Sequence, residues 1–185
     1  MSVLDLPRLW RPETHQALFR RILDVAARPG QIADLSDLLD DRAAALAALA
    51  TFCDNTQMLA DLTGALSDTD LAFLDVRTAP VDQAGFILAR GAEAPRFAPR
   101  LGTLDAPEGG ATIVVMLDSL TDGTPLTLTG PGIAAQAGLS PSGLAPAWLD
   151  ARARWCADFP MGVDLVLADQ TRLAVLPRTT KIKGA

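Results

Sequence analysis

Along the first thirty positions apolar residues recur at helical spacing. Leu18, Ile22 and Val25 share one face, widened by Phe19, Leu23 and Ala26, while Arg20, Arg21, Asp24 and Arg28 occupy the other. Pro12 suits the first turn of such a helix, where its missing N–H has no partner to lose, and Arg28-Pro29-Gly30 ends it. A second helix is predicted through about Phe52, with Ala43, Leu46, Leu49 and Ala50 turned inward and Asp40 or Asp41 as its cap. Positions 54–82 are ambiguous. Met58–Leu62 reads as a strand or as a helical turn, and Asp68 is predicted to cap a short helix reaching Leu74.

The pattern then changes period. Ala84–Ala89 is a short apolar run, and Ile113–Leu117 is a continuous one rich in β-branched residues, as expected of strands covered on both faces. Leu126–Thr129, behind the turn signal Asp122-Gly123, is predicted to pair antiparallel with Ile113–Leu117. Leu165–Ala168 and Arg172–Leu176 flank Asp169-Gln170-Thr171, which predicts a hairpin, and a helix from about Ala145 to Ala157 precedes it. Helices early and strands late predict an α/β fold, a mixed β-sheet sandwiched by helices. No repeat or linker divides the chain, so residues 1–185 are expected to form a single domain.

Composition narrows the chemistry. Hydrophobic residues make up 49% of the chain and aromatics only 5%, so Ala, Leu and Val must fill the core. A net charge of -6 argues against nucleic acid, whose binders need a clustered basic surface. The cations are 14 Arg and 2 Lys, and both lysines, Lys181 and Lys183, lie in the last five positions. A Schiff-base or phosphate-loop lysine is therefore missing from the body of the protein. One histidine, His15, and two cysteines, Cys53 and Cys156, fall short of a zinc site, a redox pair or an iron-sulfur cluster. The cysteines read as buried thiols, His15 as structural, and no metal or cofactor is expected. Asp5 and Pro7 stand where a leader would carry base and a long apolar run, and the longest low-polarity stretch, Ala43–Ala50, is far short of the ~20 residues that span a bilayer. A soluble, cytoplasmic protein without membrane contact is expected.

Three features invite a chemical reading. Gly130-Pro131-Gly132-Ile133-Ala134-Ala135 formally matches the dinucleotide-binding G-x-G-x-x-A, but Pro131 removes an amide donor and Gly138 with Pro141 leaves about five residues for a helix. A turn that uses glycine freedom is the better reading. Asp164 sits among apolar residues with no second titrating partner in sight, so pairing with an Arg or capping amides suits it better than general-base work. Arg178-Thr179-Thr180 offers a guanidinium and two hydroxyls, able to hold a phosphate or phosphonate or else to pin the tail to the body or to another subunit. Gly130, Gly132, Arg178, Thr179 and Thr180 are therefore the candidate anion or partner contacts. Nucleophilic triads fail on inventory, since six serines have only His15 as a base and no G-x-S-x-G elbow exists.

Five motifs in order give the chain a family likeness: Phe19-Arg20 to Arg28-Pro29-Gly30, Gly110-Ala111-Thr112, Leu128 to Ile133, Phe159 to Leu165, and Leu176-Pro177-Arg178-Thr179-Thr180. Together they resemble the PhnH family, the H subunit of bacterial carbon-phosphorus lyase, over about residues 14–180. The resemblance implies a subunit without a catalytic residue of its own, working with subunits G, I and J in phosphonate breakdown and able to form a homodimer. It also implies a fold like a reduced pyridoxal-phosphate-dependent transferase without the cofactor. In that family the I subunit is associated with coupling phosphonate to the ribose of ATP, and J carries radical chemistry on an iron-sulfur cluster. Relatives commonly read His-Thr-x-Ala-Pro where this chain has Arg77-Thr78-Ala79-Pro80, and an arginine cannot shuttle protons near neutral pH. Two functions of different class follow: a non-catalytic assembly subunit, or a small anion-binding protein or enzyme acting alone.

Overall fold

The computed structural model describes residues 6–184. The opening residues Met1–Asp5, part of the segment read as unlike a leader, lie outside them. Helix α1 spans Pro12–Ala27 with Pro12 in its first turn and Leu18, Ile22 and Val25 buried, as the periodicity predicts. Helix α2, Ala44–Phe52, buries every residue from Ala44 to Ala50. Neither Asp40 nor Asp41 caps it. Ala43 holds the cap position, and the first helical amide, that of Ala44, donates instead to the carbonyl of Gln170 at 3.0 Å. A helix that starts against a strand turn finds its partner there and needs no side-chain cap.

Helix α3, Asp68–Leu74, is also capped elsewhere than expected. The Ser67 hydroxyl accepts from the Asp70 amide at 3.1 Å, and the Asp70 carboxylate accepts from the Ser67 amide at 3.1 Å. This reciprocal box leaves Asp68 as an ordinary first-turn acid. Helix α4 covers Ala147–Trp155.

The strands are β1 Ala33–Asp34, β2 Met58–Asp61, β3 Arg77–Thr78, β4 Phe86–Arg90, β5 Thr112–Met116, β6 Leu126–Thr129, β7 Ala137–Leu139, β8 Asp164–Ala168, β9 Arg172–Leu176 and β10 Lys181–Gly184. Seven build a mixed sheet in the order β1-β9-β8-β5-β4-β2-β3, parallel from β8 through β3. The predicted hairpin is present as β8 and β9, paired antiparallel with Leu165 opposite Leu176. The pairing predicted for Leu126–Thr129 is not. Both edges of β5 are taken, Ile113 facing Ile87 of β4 on one side and Leu165 of β8 on the other. β6 therefore joins β10 and β7 in a separate antiparallel sheet. Its burial alternates where that of β5 is continuous, the pattern of a sheet with one wet face.

Pleating sends successive side chains to opposite faces, and each face of the large sheet meets its own core. Val114, Val166, Leu173 and Val175 pack with Leu18, Ile22 and Leu49 of α1 and α2. Ile113, Val115, Leu165 and Leu167 pack with Trp148 of α4 and with Leu126, Leu128 and Leu139 of the small sheet. The expectation of helices on both faces is thus corrected on one side, where the small sheet shares the cover with α4. The reason is β6, which buries Leu126 and Leu128 only by laying its inner face on the large sheet.

The corrected cap generates a test. Ser67→Ala is expected to cost about 1 kcal/mol in urea unfolding, and Asp68→Ala less than about half of that. Equal losses would return the cap to Asp68.

Candidate functional site

The two sequence features singled out for anion or partner contact lie together. β9 ends at Leu176, the chain turns through Pro177–Thr180, and β10 runs back beside β6, with Lys181 opposite Thr129. Gly130, at φ +136°, lies against this turn, so close that a Cβ there would stand 2.9 Å from the Thr179 carbonyl oxygen. Gly132, at φ +80°, lies against the Ala27 carbonyl at the end of α1. Both positions need a backbone that side chains oppose. The G-x-G-x-x-A segment is accordingly a turn between antiparallel strands, and the next element is β7.

Arg178 is held by Asp164, the lone carboxylate of the apolar run. Its Nη2 donates to Oδ2 at 2.6 Å and its Nε at 3.2 Å, while its backbone amide donates to Oδ1 at 2.6 Å. Nη1 donates to the carbonyl of Pro107 at 2.6 Å. The pairing expected for Asp164 is therefore present, and the guanidinium fastens three segments: the 107–109 turn, the start of β8 and the turn before β10.

Beside this latch, α4, Phe159 and β10 enclose a cleft of about 460 Å³. Pro131, Thr179, Thr180 and Lys181 line it, as does Arg152 of α4, which no motif in the sequence marks. Arg152 is only 5% exposed, yet among the described residues its side chain makes one hydrogen bond, Nη2 to the Pro177 carbonyl at 2.6 Å. Its Nε has no partner, and it joins no ion pair among the described residues. Burial lowers its pKa from the ordinary guanidinium value, with weaker opposition from Cys156 and Asp164. A signal existed in the sequence: Arg152 follows Trp148 by four positions and so shares the inward face of α4, whereas Arg154 does not. Thr180 is 2% exposed, and its Oγ1 is likewise unpartnered.

Elsewhere the reactive residue types are set apart. His15 packs its ring 5.9 Å from that of Trp10, and burial lowers its pKa from 6.5. Cys53 and Cys156 are free thiols, half-buried rather than fully so. Burial, helped by the Asp54 charge, pushes the Cys53 thiol up to about 12. Among the described residues no group of three His, Cys, Asp or Glu is placed to hold a metal ion.

Comparison with known proteins decides the family. Residues 9–183 match the model described as "Bacterial phosphonate metabolism protein (PhnH)". The chain belongs to the PhnH family. A Stutzerimonas stutzeri protein that bears the name of a C-P lyase subunit, HtxG, is 43% identical over 180 residues, covering 96% of this chain and 91% of its own. The alpha-D-ribose 1-methylphosphonate 5-triphosphate synthase subunit PhnH of Rhizobium meliloti (strain 1021) is 36% identical over 180 residues, 91% of this chain and 90% of its own.

Two outcomes test the site's description. Asp164→Asn is expected to lower stability by about 2–3 kcal/mol in urea unfolding, because it leaves the Arg178 guanidinium without its counter-charge; a loss under about 1 kcal/mol would contradict the latch. In a Cys156→Ser variant, Cys53 in the native protein at pH 8 is expected to react with a disulfide reagent on the order of a thousandfold more slowly than a model thiol, since thiolate forms only as pH approaches its raised pKa. Labelling at the model rate would refute that.

Proposed function

We propose that this chain is a non-catalytic assembly subunit of a carbon-phosphorus lyase, acting in the breakdown of organic phosphonates. One observation carries the reading: the PhnH match runs through residues 9–183, and the two relatives, aligned over nearly their full lengths, bear the names of subunits of such an assembly. The relative from Rhizobium meliloti names the product, alpha-D-ribose 1-methylphosphonate 5-triphosphate, and we place this chain in a complex making a compound of that kind.

Its partners in this reading are the G, I and J subunits, with a second copy of itself when they are lacking. Residues 1–185 act as one unit, supported by the sharing of β4, β5 and β8 between both cores. The likeness to a reduced pyridoxal-phosphate transferase fold belongs to the same reading, supported by a mostly parallel sheet covered on both faces. A cytoplasmic location fits the same role, and no helix among the described residues is long and apolar enough to cross a membrane. The absence of a catalytic task for this subunit is supported by the raised Cys53 thiol and by a His15 that packs against Trp10 and joins no ion pair among the described residues. Exposed Phe19 and Leu23, one turn apart on α1, add apolar surface where partner chains can dock.

Affinity purification of the tagged chain from cells growing on a phosphonate as phosphorus source tests the proposal. The G, I and J subunits are expected to copurify in fixed ratio. Recovery of the chain alone would overturn the assembly role.

A further inference from the structure

A cation buried away from water normally lies against an acid, because the desolvation it suffers is large and a neutral carbonyl offsets only part of it. Arg152 departs from that rule. Its guanidinium carries five N–H donors, of which the protein engages Nη2 with one carbonyl while Nε has no acceptor. Thr180 departs from a second rule, that buried hydroxyls find partners. The two exceptions are neighbours: the Pro177 carbonyl that accepts from Arg152 at 2.6 Å also accepts from the Thr180 amide at 2.8 Å. Both side chains line the one cleft.

The charge around that cleft points the same way. The chain is acidic overall, at -6, yet three cations line the cleft, Arg152, Arg178 and Lys181, and no Asp or Glu does. Asp164 neutralises Arg178 from outside the lining. Arg152 and the exposed Lys181 are left facing a space of about 460 Å³, larger than a bare phosphate fills. Its remaining walls include Leu149, Phe159 and Ile182, which suit an organic substituent.

We propose that this cleft binds a small organic phosphate or phosphonate, whose oxyanion head is held by Arg152, Lys181 and the Thr180 hydroxyl and whose apolar part lies against Leu149 and Phe159. Arg178 is then a positioning residue: engaged by Asp164, it holds the 177–180 turn so that Thr180 faces the anion. This goes beyond the assembly role, and its failure is separable from a failure of that role, because the isolated full-length chain suffices to test it.

Titration calorimetry and thermal unfolding of that chain with phenyl phosphate, phenylphosphonate, inorganic phosphate and acetate give the test. Both phenyl compounds are expected to bind and to raise Tm, inorganic phosphate to bind at least tenfold more weakly for want of the apolar contact, and acetate to have no effect. Arg152→Met is expected to weaken phenyl phosphate at least tenfold while leaving the ligand-free Tm unchanged or higher, since it replaces an unpaired buried charge by an apolar chain of similar length. Lys181→Gln, at an exposed position where folding is not at stake, is expected to weaken it several-fold. Either of two results overturns the proposal: no heat and no Tm shift with any phosphorus oxyanion at millimolar concentration, or equal affinity in the wild type and the folded Lys181→Gln and Arg152→Met variants.

Discussion

Burial of both faces of β5 is the constraint from which the rest of the architecture follows, because a pleated strand that sends Ile113 and Val115 one way and Val114 the other needs a cover in each direction. On one side the cover is α1 and α2. The run Ala44–Ala50 has five alanines among its seven buried residues, small enough to let α2 lie close to the strands beneath it. On the other side α4 contributes Trp148, whose indole N–H donates to the Glu93 carbonyl at 2.8 Å, and the small sheet supplies Leu126, Leu128 and Leu139. β6 belongs to that cover because β4 and β8 already occupy both edges of β5.

The end of the chain is fastened by a single carboxylate. Asp164 opens β8 in the middle of the large sheet, and Arg178 follows β9, so their pairing ties the sheet to the turn from which β10 leaves. β10 in turn completes the small sheet through its register with β6. The same turn presents Thr180 to the cleft and offers the Pro177 carbonyl to Arg152. One ion pair thereby positions a strand of the second sheet and one wall of the cleft. This is a structural use of the Arg178-Thr179-Thr180 run that the family likeness alone does not supply.

Much of the fold was legible. α1 was read from a clean 3.6 period with a proline at its start, and the β8–β9 hairpin from two apolar runs around Asp169-Gln170-Thr171, both being patterns in which near neighbours in sequence supply the contacts. The box at α3 was legible too, since Ser67 and Asp70 have the right spacing, but Asp68 stood closer to the apolar run and drew the assignment. The start of α2 was not legible, because its partner is a carbonyl 126 positions away, at Gln170. At the site, Gly130, Gly132, Arg178, Thr179 and Thr180 were all visible as unusual residues, and Asp164 as an acid in need of a partner. That Gly130 packs on the 177–180 turn while Gly132 packs on the end of α1 was not visible, and the burial of Arg152 was signalled only by its helical spacing from Trp148, with Arg154 two positions on as the rival.

Sequence by itself determined the local elements, the family and the chemistry that this chain lacks, because periodicity, motif order and residue inventory are properties of short segments or of simple counts. Tertiary structure alone decided which edge β6 would pair with, which carboxylate would hold Arg178, and that Arg152 would be buried with no ion pair among the described residues. Each of those outcomes depends on which distant segments compete for the same space, and that competition is settled only when the two cores close.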